Sequence, residues 1–345
     1  MEESKKEKPS IKDIASQLNI SKTTVSFIMN GKAKEKRISD KLVAKVMKLV
    51  KEVGYKPNQL AQSLRTGKTR ILGLIVEDIS NPFFARIAKQ IEDKAYDNGY
   101  KIIYCSTEND PERAKSFLSM FQNLGVDGYI IAPTPGIEKD IDLLASAGSP
   151  IILFDRNFGN SEIMNVLVDN EEGTYTGTKH LMAQGYSNIA FITISLEPEE
   201  ENDRIRGYKN AMHENKLSTH LHVLPYVDDR SYTPAITKIL KESTELDAVF
   251  FGTNYLGICG LEAISSLGLK IPENLAVLSF DDNDLFRIYS PSITAVAQPI
   301  DQISETVITS LLQALNTGEN TPKTKNISLP TSLIIRDSTA AKQKV

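Results

Sequence analysis

The sequence predicts an α/β protein in two parts: a short all-helical head forming a helix-turn-helix, and a long body of two lobes with doubly wound parallel sheets. Three observations carry this. Residues 10–54 hold three segments whose apolar residues recur at helical spacing behind capping residues. From Ile71 onward, short apolar runs alternate with amphipathic helices, the pattern of buried parallel strands. Charge divides along the same line: residues 1–70 carry 17 Lys and Arg against 7 Asp and Glu, and the rest of the 345-residue chain carries 23 against 37. A basic head on an acidic body suits a polyanion partner for the head, although a solvated charged surface would show the same imbalance.

The head reads in order. Ser10 with Asp13 three residues on is a capping-box pattern, and Ile11, Ile14, Ala15 and Leu18 then share one helix face. Ser21 caps a second helix in which Val25, Ile28 and Met29 face inward, and Asn30-Gly31 supplies its stop. Ser39 caps a third helix through Leu42, Val43, Val46, Val50 and Val53, ending at Gly54 before Pro57. The second helix of such a unit enters a major groove with residues near its start on the base edges, so Lys22 and Thr23 are candidate base contacts and Ser21 and Asn30 candidate phosphate contacts. The alternative is a small helical bundle whose polar face is merely wet. Residues 58–65 form a run too short to be a stable helix alone, and Leu64 beside Arg65 has the character of a minor-groove wedge.

The body follows as candidate strands Ile71 to Val76, Lys101 to Cys105, Gly128 to Ala132, Ile151 to Phe154, Ile189 to Ile194, Val223 to Tyr226, Ala248 to Phe251 and Ala276 to Phe280. Eight units are too many for one compact sheet, so two lobes with a cleft are expected. Ligands in open parallel sheets sit beyond the carboxyl ends of strands. Polar residues gather there: Asp78, Asn81 and Phe83 after the first strand, Asp155 and Arg156 after the fourth, Asp203, Arg204 and Arg206 after the fifth, then Thr253, Asn254, Asp281 and Asp282. Carboxylates and guanidiniums around an aromatic face fit a sugar, though caps and interlobe salt bridges would use the same residues. Three nearby arginines would instead favour a phosphorylated or acidic sugar.

Other function classes fare poorly. No segment approaches the roughly 20 apolar residues of a membrane span, and the first residues lack a secretion signal. Cys105 and Cys259 are too few for a disulfide framework, which points to a cytoplasmic protein with reduced thiols. His180, His213, His220 and His222 are scattered, His220-Leu221-His222 reads as a surface strand, and no nucleophile, phosphate or metal motif appears. An enzyme is not expected, nor any metal or cofactor. A sugar-binding transport protein would need an export signal and would leave residues 1–68 without a use. No heptads follow Asp337, so a tetramerising zipper is not expected.

The runs Ile11-Lys12-Asp13-Ile14-Ala15, Ile20-Ser21-Lys22-Thr23-Thr24-Val25-Ser26, Asn30-Gly31, Gly54-Tyr55-Lys56-Pro57-Asn58 and Ala61-Gln62-Ser63-Leu64-Arg65 resemble the lactose/galactose repressor family. The resemblance implies a regulator with a head at 1–57, a hinge helix and linker at 58–68, and a periplasmic-binding-protein-like core at 69–340. It divides the core into a first lobe near 69–167 and 299–326 and a second near 168–298 and 327–340. It further implies a homodimer on a palindromic operator in double-stranded DNA, with DNA contacts from Ser21, Lys22, Thr23, Ser26, Phe27, Asn30, Asn58, Ala61, Leu64 and Arg65. A sugar-like effector is expected against Phe83, Asp155, Arg156, Arg204, Arg206, Thr253 and Asp281. Two positions depart from the family's common pattern. Phe27 stands where Arg is frequent, so the operator sequence does not carry over, and Thr253-Asn254 stands where Asn-Asp is frequent.

Overall fold

A computed structural model describes residues 9–55, 67–156, 163–194, 202–227, 231–317 and 326–342. Two compact units result, Met1–Thr69 and Arg70–Val345.

In the first unit, α1 (Ile11–Gln17), α2 (Lys22–Met29) and α3 (Asp40–Val53) start at the expected caps. Ser10 and Asp13 satisfy each other's backbone N–H, Asp13 Oδ2 accepting from Ser10 N at 2.8 Å. Gly54 closes α3 at φ 66°, a left-handed conformation costly for any residue with a Cβ. Ile14, Ala15, Val25, Ile28, Val46 and Val50 form the shared core.

The second unit holds two six-stranded sheets. The first comprises β1 (Ile71–Val76), β2 (Lys101–Ser106), β3 (Gly128–Ile131), β4 (Ile151–Phe154), β5 (Met164–Val168) and β11 (Asn326–Leu329), in the order β11-β5-β4-β3-β1-β2. The second comprises β6 (Ile189–Ile194), β7 (His220–Leu224), β8 (Ala248–Phe251), β9 (Ala276–Phe280), β10 (Thr294–Ala297) and β12 (Ser332–Ile334), in the order β12-β10-β9-β8-β6-β7. All pairings are parallel except β12 on β10.

Helices cover both faces of each sheet, because parallel strands buried on both sides must be shielded twice. In the first, Leu72, Leu74 and Val76 of β1 pack with α4 (Pro82–Asp97) and α12 (Ile300–Thr317), while Ile75 packs with α5 (Pro111–Leu124) and α6 (Glu138–Ser146). In the second, α9 (Thr233–Glu242) and α10 (Asn254–Ser266) cover one face, and α7 (Asn170–Ala183) and α8 (Asp203–Glu214) the other. The α7–α8 pair is close enough that a Cβ at Gly207 would lie 2.1 Å from the Glu171 carbonyl oxygen. The short helix α11 (Asp284–Ile288) follows β9.

Four strands escaped the sequence reading. β5 is five residues with the polar Asn165 inside it, β10 is a short Thr-Ala-Val-Ala run, and β11 and β12 are edge strands of four and three residues with exposed positions. β7 begins at His220, three residues before the predicted Val223, because an edge strand tolerates its two histidines. β11 keeps the chain in the first sheet to Leu329, so the last crossing falls after that residue rather than near 326. Neither Cys105 nor Cys259 forms a disulfide, and both are half-buried. Among the described residues no helix is long and apolar enough to cross a membrane.

Candidate functional site

On α2 the apolar side is fixed by Val25 and Ile28, so Lys22, Thr23, Ser26, Phe27 and Asn30 share the opposite, outer face. Ser21 Oγ accepts from Thr24 N at 3.0 Å, so this hydroxyl is engaged in capping. The Asn30 amide donates to Ser26 O at 2.6 Å, closing the C-terminal turn. Lys22 and Thr23 remain exposed at the helix start. The predicted contacts Asn58, Ala61, Leu64 and Arg65 lie outside the described residues.

In the second unit the two lobes bring equivalent strand ends together. β4 and β9 hold the same place in their sheets, and each is followed by an aspartate in the left-handed region, Asp155 at φ 77° and Asp281 at φ 65°. Each donates its backbone N–H to the neighbouring strand, Asp155 N to Val166 O at 3.1 Å and Asp281 N to Val296 O at 2.9 Å. Burial pushes the Asp155 carboxyl up to about 6; Arg156 and Arg204 pull it back, and Glu77 and Asp281 push it up further. Asp155 therefore feels the charge of Asp281 across the lobes.

The arginines are already anchored by the protein. Arg156 donates to Asn109 Oδ1 at 2.6 Å, to Pro133 O at 3.3 Å and to Glu77 Oε2 at 2.7 Å. Arg204 donates to Asn170 Oδ1 at 2.9 Å and to Gly252 O at 2.6 Å, stands 4.0 Å from Asp281 Oδ2, and lies 3.8 Å from the Phe280 ring centroid. Arg206 departs from expectation. Its exposed guanidinium pairs with Glu171 at 3.0 Å and with Asp203, because the helical turn of α8 that aims Arg204 inward aims a residue two positions on elsewhere.

Thr253 caps α10, its hydroxyl accepting from Leu256 N at 3.3 Å. Its neighbour Asn254 is buried and donates to Asn81 Oδ1 at 3.0 Å, a bond between lobes; Asn81 in turn accepts from Phe83 N at 3.1 Å. Further links between lobes are Arg86 to Asp284 at 2.8 Å and Tyr226 Oη to Glu108 O at 3.4 Å. A cavity of about 310 Å³ is lined from the first lobe by Phe83 and Arg86 and from the second by Asp281 and Asp282, with Gln298 and Ile300 among its other residues. Of the predicted effector residues, Phe83 and Asp281 line it and Arg204 stands 4.0 Å from Asp281 Oδ2, while Asp155, Arg156, Arg206 and Thr253 are not among the residues lining it.

Glu77, Asn109 and Gln298 complete the cluster and were not anticipated. Gln298 Nε2 donates to Asp281 Oδ1 at 2.6 Å, while Gln298 Oε1 and Asn109 Nδ2 are buried and find no partner among the described residues. Recognition of β10 would have flagged Gln298, which follows its carboxyl end as Asp281 follows β9. Asn109 carries no comparable signal. A buried orphan acceptor and a buried orphan donor are costly unless a polar ligand satisfies them.

Residues 10–58 match the family described as bacterial regulatory proteins, lacI family, and residues 178–339 match a periplasmic binding protein-like domain. The sucrose operon repressor of Pediococcus pentosaceus is 33% identical over 333 residues, covering 95% of this chain and 98% of that protein. The ribose operon repressor of Haemophilus influenzae is 30% identical over 332 residues, again covering 95% and 98%. The crystal structure of the lac repressor dimer bound to operator and an anti-inducer superposes over 96% of this chain and 99% of that one with a TM-score of 0.84 at 22% identity, a likeness of fold. A capped helix-turn-helix head, two Rossmann-like lobes with paired aspartates, and relatives matched nearly end to end agree: the chain belongs to the lacI family of bacterial regulatory proteins.

Proposed function

We propose that this regulator is a cytoplasmic repressor of carbohydrate genes whose grip on a palindromic operator is set by a neutral, polyhydroxylated ligand between the lobes. The observation that carries the ligand class is the Asp155–Asp281 pair, two carboxylates at equivalent strand ends, beside arginines whose donors already serve Glu77, Asn109, Asn170 and Gly252. Carboxylates accept from hydroxyls and repel phosphate or carboxylate groups. The orphan atoms of Asn109 and Gln298 add one donor and one acceptor for hydroxyls. The cavity is at the small end of ligand pockets, which span roughly 300 to 1,000 Å³. Relatives named as sucrose and ribose operon repressors support the same class.

The working division is a head at 1–57, a hinge at 58–68 and a core of two lobes. A ligand changes DNA affinity only by preferring one lobe arrangement over another, and the Asn254–Asn81, Arg86–Asp284 and Tyr226–Glu108 links are the contacts such a preference would make or break. A homodimer supplies two heads for two half-sites. The role is binding, with no catalytic step. The test is a thermal-shift screen of neutral sugars, sugar phosphates and sugar acids, followed by operator selection with and without any hit. Neutral sugars should raise the melting temperature. Stabilisation by acidic sugars alone would overturn the ligand class.

A further inference from the structure

Of the outer face of α2, Phe27 is the member that can donate no hydrogen bond to a base or a phosphate. The loop behind the helix gives it a partner. Gly31, at φ 71°, turns the chain back. Lys32 N donates to Phe27 O at 2.9 Å, and the turn is closed by Lys36 N to Lys32 O at 3.0 Å and Ile38 N to Ala33 O at 2.8 Å. This folding sets the Lys36 ammonium 5.5 Å from the centre of the Phe27 ring, where the negative face of the ring attracts it. Glu35 holds the same ammonium at 2.8 Å, and both charges are largely exposed.

We propose that Lys36 is a DNA contact held in place by Phe27 as an aromatic platform, and that its partner is a backbone phosphate at the edge of the major groove. The inference rests on the reading of the head as DNA-binding. Three features select a phosphate over a base. Base edges are reached from the start of a recognition helix, whereas Lys36 hangs from the loop beyond its end. The loop also carries Lys32, Lys34 and Arg37, so four cations face one carboxylate, a field that attracts the backbone whatever its sequence. In the free protein Glu35 occupies the ammonium, and a phosphate can replace that carboxylate without moving the loop. The ring lowers the freedom that a long side chain loses on binding.

The test uses the full-length protein and a duplex selected by the wild type, with affinity measured across salt concentrations. Lys36→Met should weaken binding about five- to tenfold, lower the slope of log affinity against log salt by about 1, and leave the order of preferred sequences unchanged. Phe27→Ala should reproduce most of that loss, Phe27→Tyr should restore it, and the double variant should be no worse than either single one. An unchanged slope for Lys36→Met, or additive losses in the double variant, would overturn the proposal. A shifted base preference for Lys36→Met would replace the phosphate by a base and overturn it too. A wild type that prefers no duplex would refute the underlying DNA reading, an outcome distinguishable from all of these.

Discussion

Asp155 and Asp281 are structural counterparts: each follows the third strand in from the outer edge of its sheet, each is left-handed, and each ties its backbone to the next strand. They differ in their surroundings. Gln298 donates to Asp281 at 2.6 Å, whereas the one cation within 4.0 Å of Asp155 among the described residues is Arg156, at 4.0 Å. The same fold position thus yields one hydrogen-bonded carboxylate and one whose pKa burial pushes up to about 6.

Asp155 makes the ligand-free protein pH-sensitive. Its folded value of about 6 lies above the ordinary aspartate value of 3.8, so the folded state binds its proton more tightly than the unfolded state does. The stability it supplies is complete below about pH 4 and lost as pH rises through about 6. At pH 7.5, Asp155→Asn should stabilise the ligand-free protein by up to about 3 kcal/mol. Melting curves across pH 4 to 7.5 check this; an unchanged pH slope in the variant would contradict it.

Asn254→Ala removes the bond between lobes to Asn81 while leaving the Asn81 cap on Phe83 intact. A net contribution of about 1 kcal/mol corresponds to roughly fivefold weaker ligand binding. Calorimetry with the ligand found by thermal shift measures it, and equal affinities would show that the bond does not favour the ligand-bound arrangement.

Arg204→Ala should abolish the ligand response, because it strips the anchors to Asn170, Gly252 and Phe280 beside Asp281. Arg206→Ala, whose pairs with Glu171 and Asp203 are exposed, should leave ligand affinity within about twofold. Reversed results in ligand titrations would restore Arg206 to the pocket.

Gly207→Ala should destabilise the core by about 3 kcal/mol or more, since its Cβ would meet the Glu171 backbone at 2.1 Å and backbone cannot rotate away. Thermal unfolding would reveal the loss; a melting temperature unchanged within a degree would show that α7 and α8 separate at little cost.

Leu64→Ala should weaken operator binding about tenfold or more while sparing non-specific DNA binding, if Leu64 unstacks a base step. Equal losses on both DNAs, measured by competition, would remove the wedge role.

Much of the fold was legible because its signals are short-range. Ser10, Ser21 and Ser39 cap their helices from within three residues, and runs such as Ile71–Val76 and Ala276–Phe280 declare buried strands by composition. The edge strands β11 and β12 were not, because they are only four and three residues long, include exposed positions, and become strands by pairing with β5 and β10. At the site, Asp155, Arg156, Arg204 and Asp281 stood at strand ends or helix starts, where ligands gather. Arg206 stood there as well and turned outward, since two residues on a helix differ by about 200°.

By itself the sequence determined the order of elements, the cationic head, the anionic body and the kinship that these imply, because caps, periodicity and charge act between near neighbours. Tertiary structure alone decided which guanidiniums stay tied to protein acceptors, which carboxyl burial pushes up in pKa, and that Lys36 lies over Phe27. Those outcomes depend on burial and on contacts between residues distant along the chain or brought together by a turn, where the energy of a group is set by what surrounds it and not by what it is.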